Sequence, residues 1–155
     1  MIRSSLAAIV PTLMLCAGIF PATAAAAPQP LAAQAENRPR LILLGTAAGP
    51  VPRAERSQPA SLLAVGGKTY LIDAGDGVSR QFARARISPA RLDAIFVSHL
   101  HFDHILGLGP VMAFSWIEGR TAPLPLWGPP GLDETVRRNA DALETGANIF
   151  KPQLP

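Results

Sequence analysis

The sequence predicts an α/β fold, and three observations carry that reading. Short apolar runs beside glycines or polar turns, such as LILL at 41–44 and AIFV at 94–97, read as buried strands. Longer segments with few β-branched residues, at 78–85, 110–116 and 132–143, read as helices. The two kinds alternate along the chain, as they must when helices pack on a sheet. Composition permits a core: of 155 residues, 48% are hydrophobic and 16% charged.

The first 27 residues differ in kind. Arg3 precedes a broken apolar run at 6–20, and PATAAAAPQP follows with several A-x-A sites. This is the pattern of a secretory signal peptide. It predicts an exported protein, periplasmic or secreted, with no stable membrane anchor. Cys16, the sole cysteine, falls inside that segment. A mature chain would then have no thiolate, and any metal would be held by nitrogen and oxygen. Residues 28–39 read as a linker, and the folded domain as 40–155.

The elements follow in order. Residues 41–44 form a strand closed by Gly45. Residues 46–60 hold Pro50, Pro52 and Pro59 and read as a long loop. Residues 61–65 and 68–72 flank Gly66-Gly67, a hairpin signature. DAGDG at 73–77 is a tight turn before an amphipathic helix at 78–85. Ser88-Pro89 reads as an N-cap with proline at the first helical position. A strand at 94–97 comes next. Pro110 opens an apolar helix to about residue 116, and 124–127 is a strand suited by Pro125 to a sheet edge. A polar-faced helix at 132–143 follows, then a tail without clear closure. Trp116 and Trp127 read as core.

SHLHFDH, at 98–104, contains all three histidines of the chain. It leaves the 94–97 strand without a gap, so a rigid element anchors it. In extended backbone His99 and His101 point the same way and can reach one ion. Asp103 and His104 diverge, which allows a second ion beside the first. Imidazole and carboxylate donors without sulfur suit zinc, manganese or iron. A surface histidine patch is the plainer alternative.

This HxHxDH pattern, His99-Leu100-His101-Phe102-Asp103-His104, resembles the signature of the metallo-β-lactamase fold superfamily. LILLGTAAGPVPRAERSQPASLLAVGGKTYLIDAGDGVSRQ, IFVSHLHFDHILGLGPV and LPLWGPPG are similar to its ribonuclease Z-like branch, which includes arylsulfatase-like and cyclic-nucleotide phosphodiesterase relatives. The resemblance covers roughly residues 41–131 and implies the N-terminal half of an αββα sandwich. It implies that His99 and His101 bind one metal, that Asp103 and His104 bind a second, and that two zinc ions activate a water for hydrolysis. Asp103 would also be catalytic, accepting a proton from the nucleophile. The family's later ligands are a histidine, a bridging aspartate and a final histidine, yet no histidine follows His104. The chain therefore reads as lacking part of the site.

Asp73 and Gly75 match the family's strand-end aspartate and glycine. Asp73 is either a partner that orients the histidine segment or part of an Asp-Gly turn. The net charge is +3, carried by arginines dispersed along the chain rather than in a basic block. That pattern, and a leader that would remove the protein from cytoplasmic precursor tRNA, argue against nucleic acid as a partner. The expected substrate is a small-molecule phosphodiester or sulfate ester. A non-catalytic metal-binding half-domain, a truncated product or a homo-oligomer remains an open alternative.

Overall fold

The computed structural model describes residues 38–153. The signal-peptide expectation and most of the linker lie outside these residues. Five strands form one mixed sheet in sequential order: β1 (Arg40–Gly45), β2 (Ala60–Val65), β3 (Lys68–Ile72), β4 (Ala94–Phe96) and β5 (Leu126–Trp127). β1, β2 and β3 are antiparallel, while β3, β4 and β5 run parallel. The helices are α1 (Val78–Ala85), α2 (Phe102–Ile105), α3 (Leu108–Ile117) and α4 (Leu132–Phe150). α1 lies in the β3–β4 connection, and α2 and α3 in the β4–β5 connection, as parallel pairing requires.

One row of side chains explains the core. Ile42, Leu62, Leu71, Ile95 and Leu126 are register partners across all five strands. Leu62, Leu71 and Ile95 are buried with Val78, Phe82, Leu108, Val111 and Leu132 from the helices. Side chains alternate along a strand, so the neighbouring rows face the other way. That second face exposes Leu41, Leu43, Phe96 and Trp127; Trp127 is 62% exposed. The expectation that Trp127 is core is therefore wrong: it sits on the edge strand, on the face the helices do not cover. Trp116 is half-buried.

Several boundaries shift. The 88–91 segment is a single 3₁₀ turn, Pro89–Arg91, with the Ser88 hydroxyl accepting from Ala90 N–H at 3.2 Å. The histidine segment contains the unforeseen short helix α2. α3 starts two residues before Pro110, so the proline lies within its first turn. α4 continues seven residues past the expected end. The extension includes Gly146, a residue of low helix propensity, inside the helix. The polar side of α4 is reinforced where Arg137 bonds Glu134 and Asp141, and Arg138 bonds Glu134. Among the described residues no helix is long and apolar enough to cross a membrane.

Candidate metal centre

The site forms where β3 and β4 end side by side. Ile72 and Phe96 are parallel register partners, so the residues after them leave the same end of the sheet. Asp73 N–H donates to the Phe96 carbonyl at 2.8 Å, and Val97 N–H to that of Trp127 at 2.7 Å. Two more backbone bonds clamp the histidine segment to the 73–77 turn: Ala74 N–H to the His104 carbonyl at 2.8 Å, and Gly107 N–H to the Ala74 carbonyl at 2.7 Å. The approach is close enough that a Cβ at Gly75 would collide with the Asp103 carbonyl and with Gln58. Glycine is the residue that permits it.

Asp73 takes a left-handed backbone conformation, φ 59°, and is 7% exposed. Its carboxylate reaches across to the second strand end. It accepts from Ser98 N–H at 2.7 Å, from the Ser98 hydroxyl at 2.8 Å and from His104 Nδ1 at 2.8 Å. A carboxylate only accepts, so His104 donates from Nδ1, and the neutral ring in that tautomer has its lone pair on Nε2. The Ser98 hydroxyl donates its one hydrogen to Asp73, so it accepts from His99 Nδ1 at 3.0 Å. His99 Nε2 is then also a lone pair. One carboxylate thus sets the tautomer of two imidazoles, His104 directly and His99 through Ser98. Asp73 thus combines a turn conformation with contacts to Ser98 and His104. Ser98 was missed in the sequence; its position before the first histidine is the signal, but its link to Asp73 needs the β3–β4 pairing.

The freed atoms face other donors. His99 Nε2 is 3.1 Å from His101 Nδ1, and His104 Nε2 is 3.6 Å from Asp103 Oδ2. The His99 and His104 rings lie 4.0 Å apart between centroids. Asp103 is 6% exposed, while His101 is open to solvent. Two ligands about 2.0–2.1 Å from one zinc at a tetrahedral angle lie about 3.3 Å apart. The two observed pairs bracket that spacing. The donor set suits zinc in kind and in pair spacing, but not in convergence. Among the described residues no three or more His, Cys, Asp or Glu side chains are arranged to hold an ion. Asp133 and Asp141, which could be proposed for the bridging aspartate that the resemblance implies, do not join: both lie on exposed positions of α4, and Asp141 is paired with Arg137 at 3.1 Å.

Comparison with known proteins agrees with this geometry. Residues 53–138 match the family model described as the metallo-beta-lactamase superfamily. Ribonuclease Z of Mycobacterium marinum is 41% identical over 99 residues, covering 62% of this chain and 35% of that protein. Among solved structures, human tRNase Z, short form, superposes with a TM-score of 0.58 at 30% identity, covering 67% of this chain and 40% of that one. A diphosphatase from the PhnP family does so with a TM-score of 0.54 at 26% identity, covering 68% and 47%. The chain spans roughly a third of the length of the curated relatives it matches. These relatives overturn one expectation, that nucleic acid is not a partner: their names specify RNA cleavage. A leader segment bears on where a protein goes, not on what its site cleaves, and charges dispersed in sequence need not be dispersed in space. With its five-stranded mixed sheet, its helices and its HxHxDH segment at the strand ends, this chain belongs to the metallo-β-lactamase superfamily and is similar to ribonuclease Z over the part of those proteins that it spans.

Proposed function

We propose that this chain supplies His99, His101, Asp103 and His104 as ligands in a dinuclear zinc hydrolase site acting on phosphodiesters, with RNA as the substrate class; manganese or iron would suit the same donors. The observation that supports it is the Asp73 carboxylate bonded to Nδ1 of His104 directly and to Nδ1 of His99 through Ser98, which leaves Nε2 of both rings for a ligand. Bound zinc supplies a Lewis acid and an acidified water. The residues do the rest. Asp73 and Ser98 keep the imidazoles in the binding tautomer before any ion arrives, so no proton has to move from Nε2. Asp103, buried beside His104, is the carboxyl group placed to accept a proton from an attacking water. Phosphodiester is preferred to sulfate ester because the named relatives cleave RNA or diphosphate bonds. The leader-like residues 1–27 support export of the mature protein.

A second reading is a metal-binding half-domain without turnover of its own. It is favoured by the donors meeting in pairs rather than threes. Catalytic zinc sites use three protein ligands and a water. The two readings separate in one experiment on the full chain: zinc stoichiometry by equilibrium dialysis, with hydrolysis of an RNA oligonucleotide, bis(p-nitrophenyl) phosphate and p-nitrophenyl sulfate. Bound zinc with phosphodiester turnover, both lost in His101→Ala, supports the hydrolase. Bound zinc without turnover selects the half-domain. Zinc content unchanged in His101→Ala refutes the ligand assignment, and faster sulfate ester cleavage refutes the substrate class.

A further inference from the structure

Four arginines distant in sequence line one groove. Arg53 and Arg56 come from the β1–β2 loop, and Arg80 and Arg84 lie one turn apart on α1. The groove has a volume of about 320 Å³. Its wall includes two carboxylates, Glu55 and Asp76, so four cations less two anions leave a local charge of +2. All four arginines are exposed, and among the described residues none of their guanidinium groups has an ion-pair or hydrogen-bond partner. Other arginines are engaged. Arg137 and Arg138 are paired with acids on α4, and Arg120 donates to the carbonyls of Ala90, Leu92, Ala122 and Pro123. Clustered like charges repel, and an anion seated among them relieves that repulsion.

The groove is built, not a chance of loose side chains. Gln58, 1% exposed, donates to the Pro50 carbonyl at 2.9 Å and accepts from Asp76 N–H at 3.1 Å. Gln81 on α1 donates to the Ser57 hydroxyl at 2.7 Å, joining the two walls. The groove also abuts the histidine segment. Gly75, beside Asp76 of the groove wall, is wedged between Gln58 and the Asp103 carbonyl.

We propose that this groove is a docking track for the phosphodiester backbone of single-stranded RNA, holding phosphates next to the one presented to the histidines. The identity of the polyanion rests on the hydrolase reading above; the anion chemistry of the groove does not. Guanidinium forks match phosphate oxygens with paired N–H donors. No aromatic side chain lines this groove to stack a base, so recognition is of the backbone, independent of sequence and sensitive to salt.

The test is fluorescence anisotropy of the full chain with a labelled single-stranded RNA oligonucleotide, in EDTA, over a range of salt. EDTA separates docking from cleavage. Each phosphate contact on a single strand contributes about −0.7 to the slope of log K against log salt. Arg80→Ala/Arg84→Ala should weaken binding and reduce the slope by about 1.4. Arg80→Lys/Arg84→Lys should restore the slope, and Arg137→Ala/Arg138→Ala should change nothing. An unchanged slope in the groove variant, or an equal loss in the α4 variant, overturns the track. So does displacement of the RNA by inorganic phosphate at matched ionic strength, which would mean a small-anion pocket. A chain that binds RNA through these arginines but never cleaves it keeps the groove and loses the hydrolase. A chain that cleaves phosphodiesters with the groove arginines removed and RNA affinity intact does the reverse.

Discussion

Replacing Asp73 by asparagine tests the physical basis of the site most directly. Asparagine matches aspartate in size and tolerates the left-handed φ of 59°, so the backbone is not the perturbation. What changes is the hydrogen-bond sense. The aspartate accepts three bonds, from Ser98 N–H, the Ser98 hydroxyl and His104 Nδ1. The amide oxygen can keep the Ser98 N–H, but its NH₂ must face the other two donors. His104 then accepts at Nδ1, moves its proton to Nε2 and loses the lone pair that faces Asp103. Losing such an orienting partner costs about 10–100-fold in metal affinity, or about 1.4–2.8 kcal/mol. Exchanging bonds to a charged acceptor for neutral ones lowers metal-free stability by about 1–3 kcal/mol. The assay is zinc competition against a chromophoric chelator, with the His104 tautomer read from its ring nitrogen shifts and stability from urea unfolding. Unchanged zinc affinity with Nδ1 still protonated would refute the reasoning.

Two further perturbations address the fold. Burial pushes the Asp93 carboxyl up, but the hydrogen bonds from Lys68 Nζ and Thr69 N–H, with the charges of Lys68 and Arg120, outweigh it and hold the group below its ordinary 3.8. A depressed native pKa stabilises above the unfolded value and is lost as pH falls through the native one. Asp93→Asn should therefore be less stable than the parent at neutral pH and converge with it in acid below 3.8, read by urea unfolding against pH; a constant difference would contradict the pairing. Leu43 is 62% exposed on the face opposite the helices. Leu43→Lys should change stability by no more than about 0.5 kcal/mol in urea unfolding, as for other exposed positions. A loss of several kcal/mol would show that this face is covered in solution.

Much of the fold was legible because its signals are local. The Gly66-Gly67 turn adopts positive φ at both residues, as a tight hairpin needs, and the flanking strands appear where the apolar runs put them. α1 begins and ends where its amphipathic stretch does. The length of α4 was less legible, since glycine is unfavourable inside a helix and Gly146 nevertheless lies within this one.

The sequence by itself determined the chemical inventory: three imidazoles and a carboxylate within six residues, at the end of an apolar strand, with an aspartate closing another strand. Tertiary structure decided what these groups do to one another. Parallel pairing of β3 with β4 brings Asp73 to Ser98, 25 residues away, and to His104, 31 residues away. That proximity sets two imidazole tautomers, which no local pattern records. The same packing gathers Arg53, Arg56, Arg80 and Arg84 from a loop and a helix around one groove. Residue type is written along the chain, but hydrogen-bond sense and charge density depend on distance, and distance between remote residues exists only once the sheet has formed.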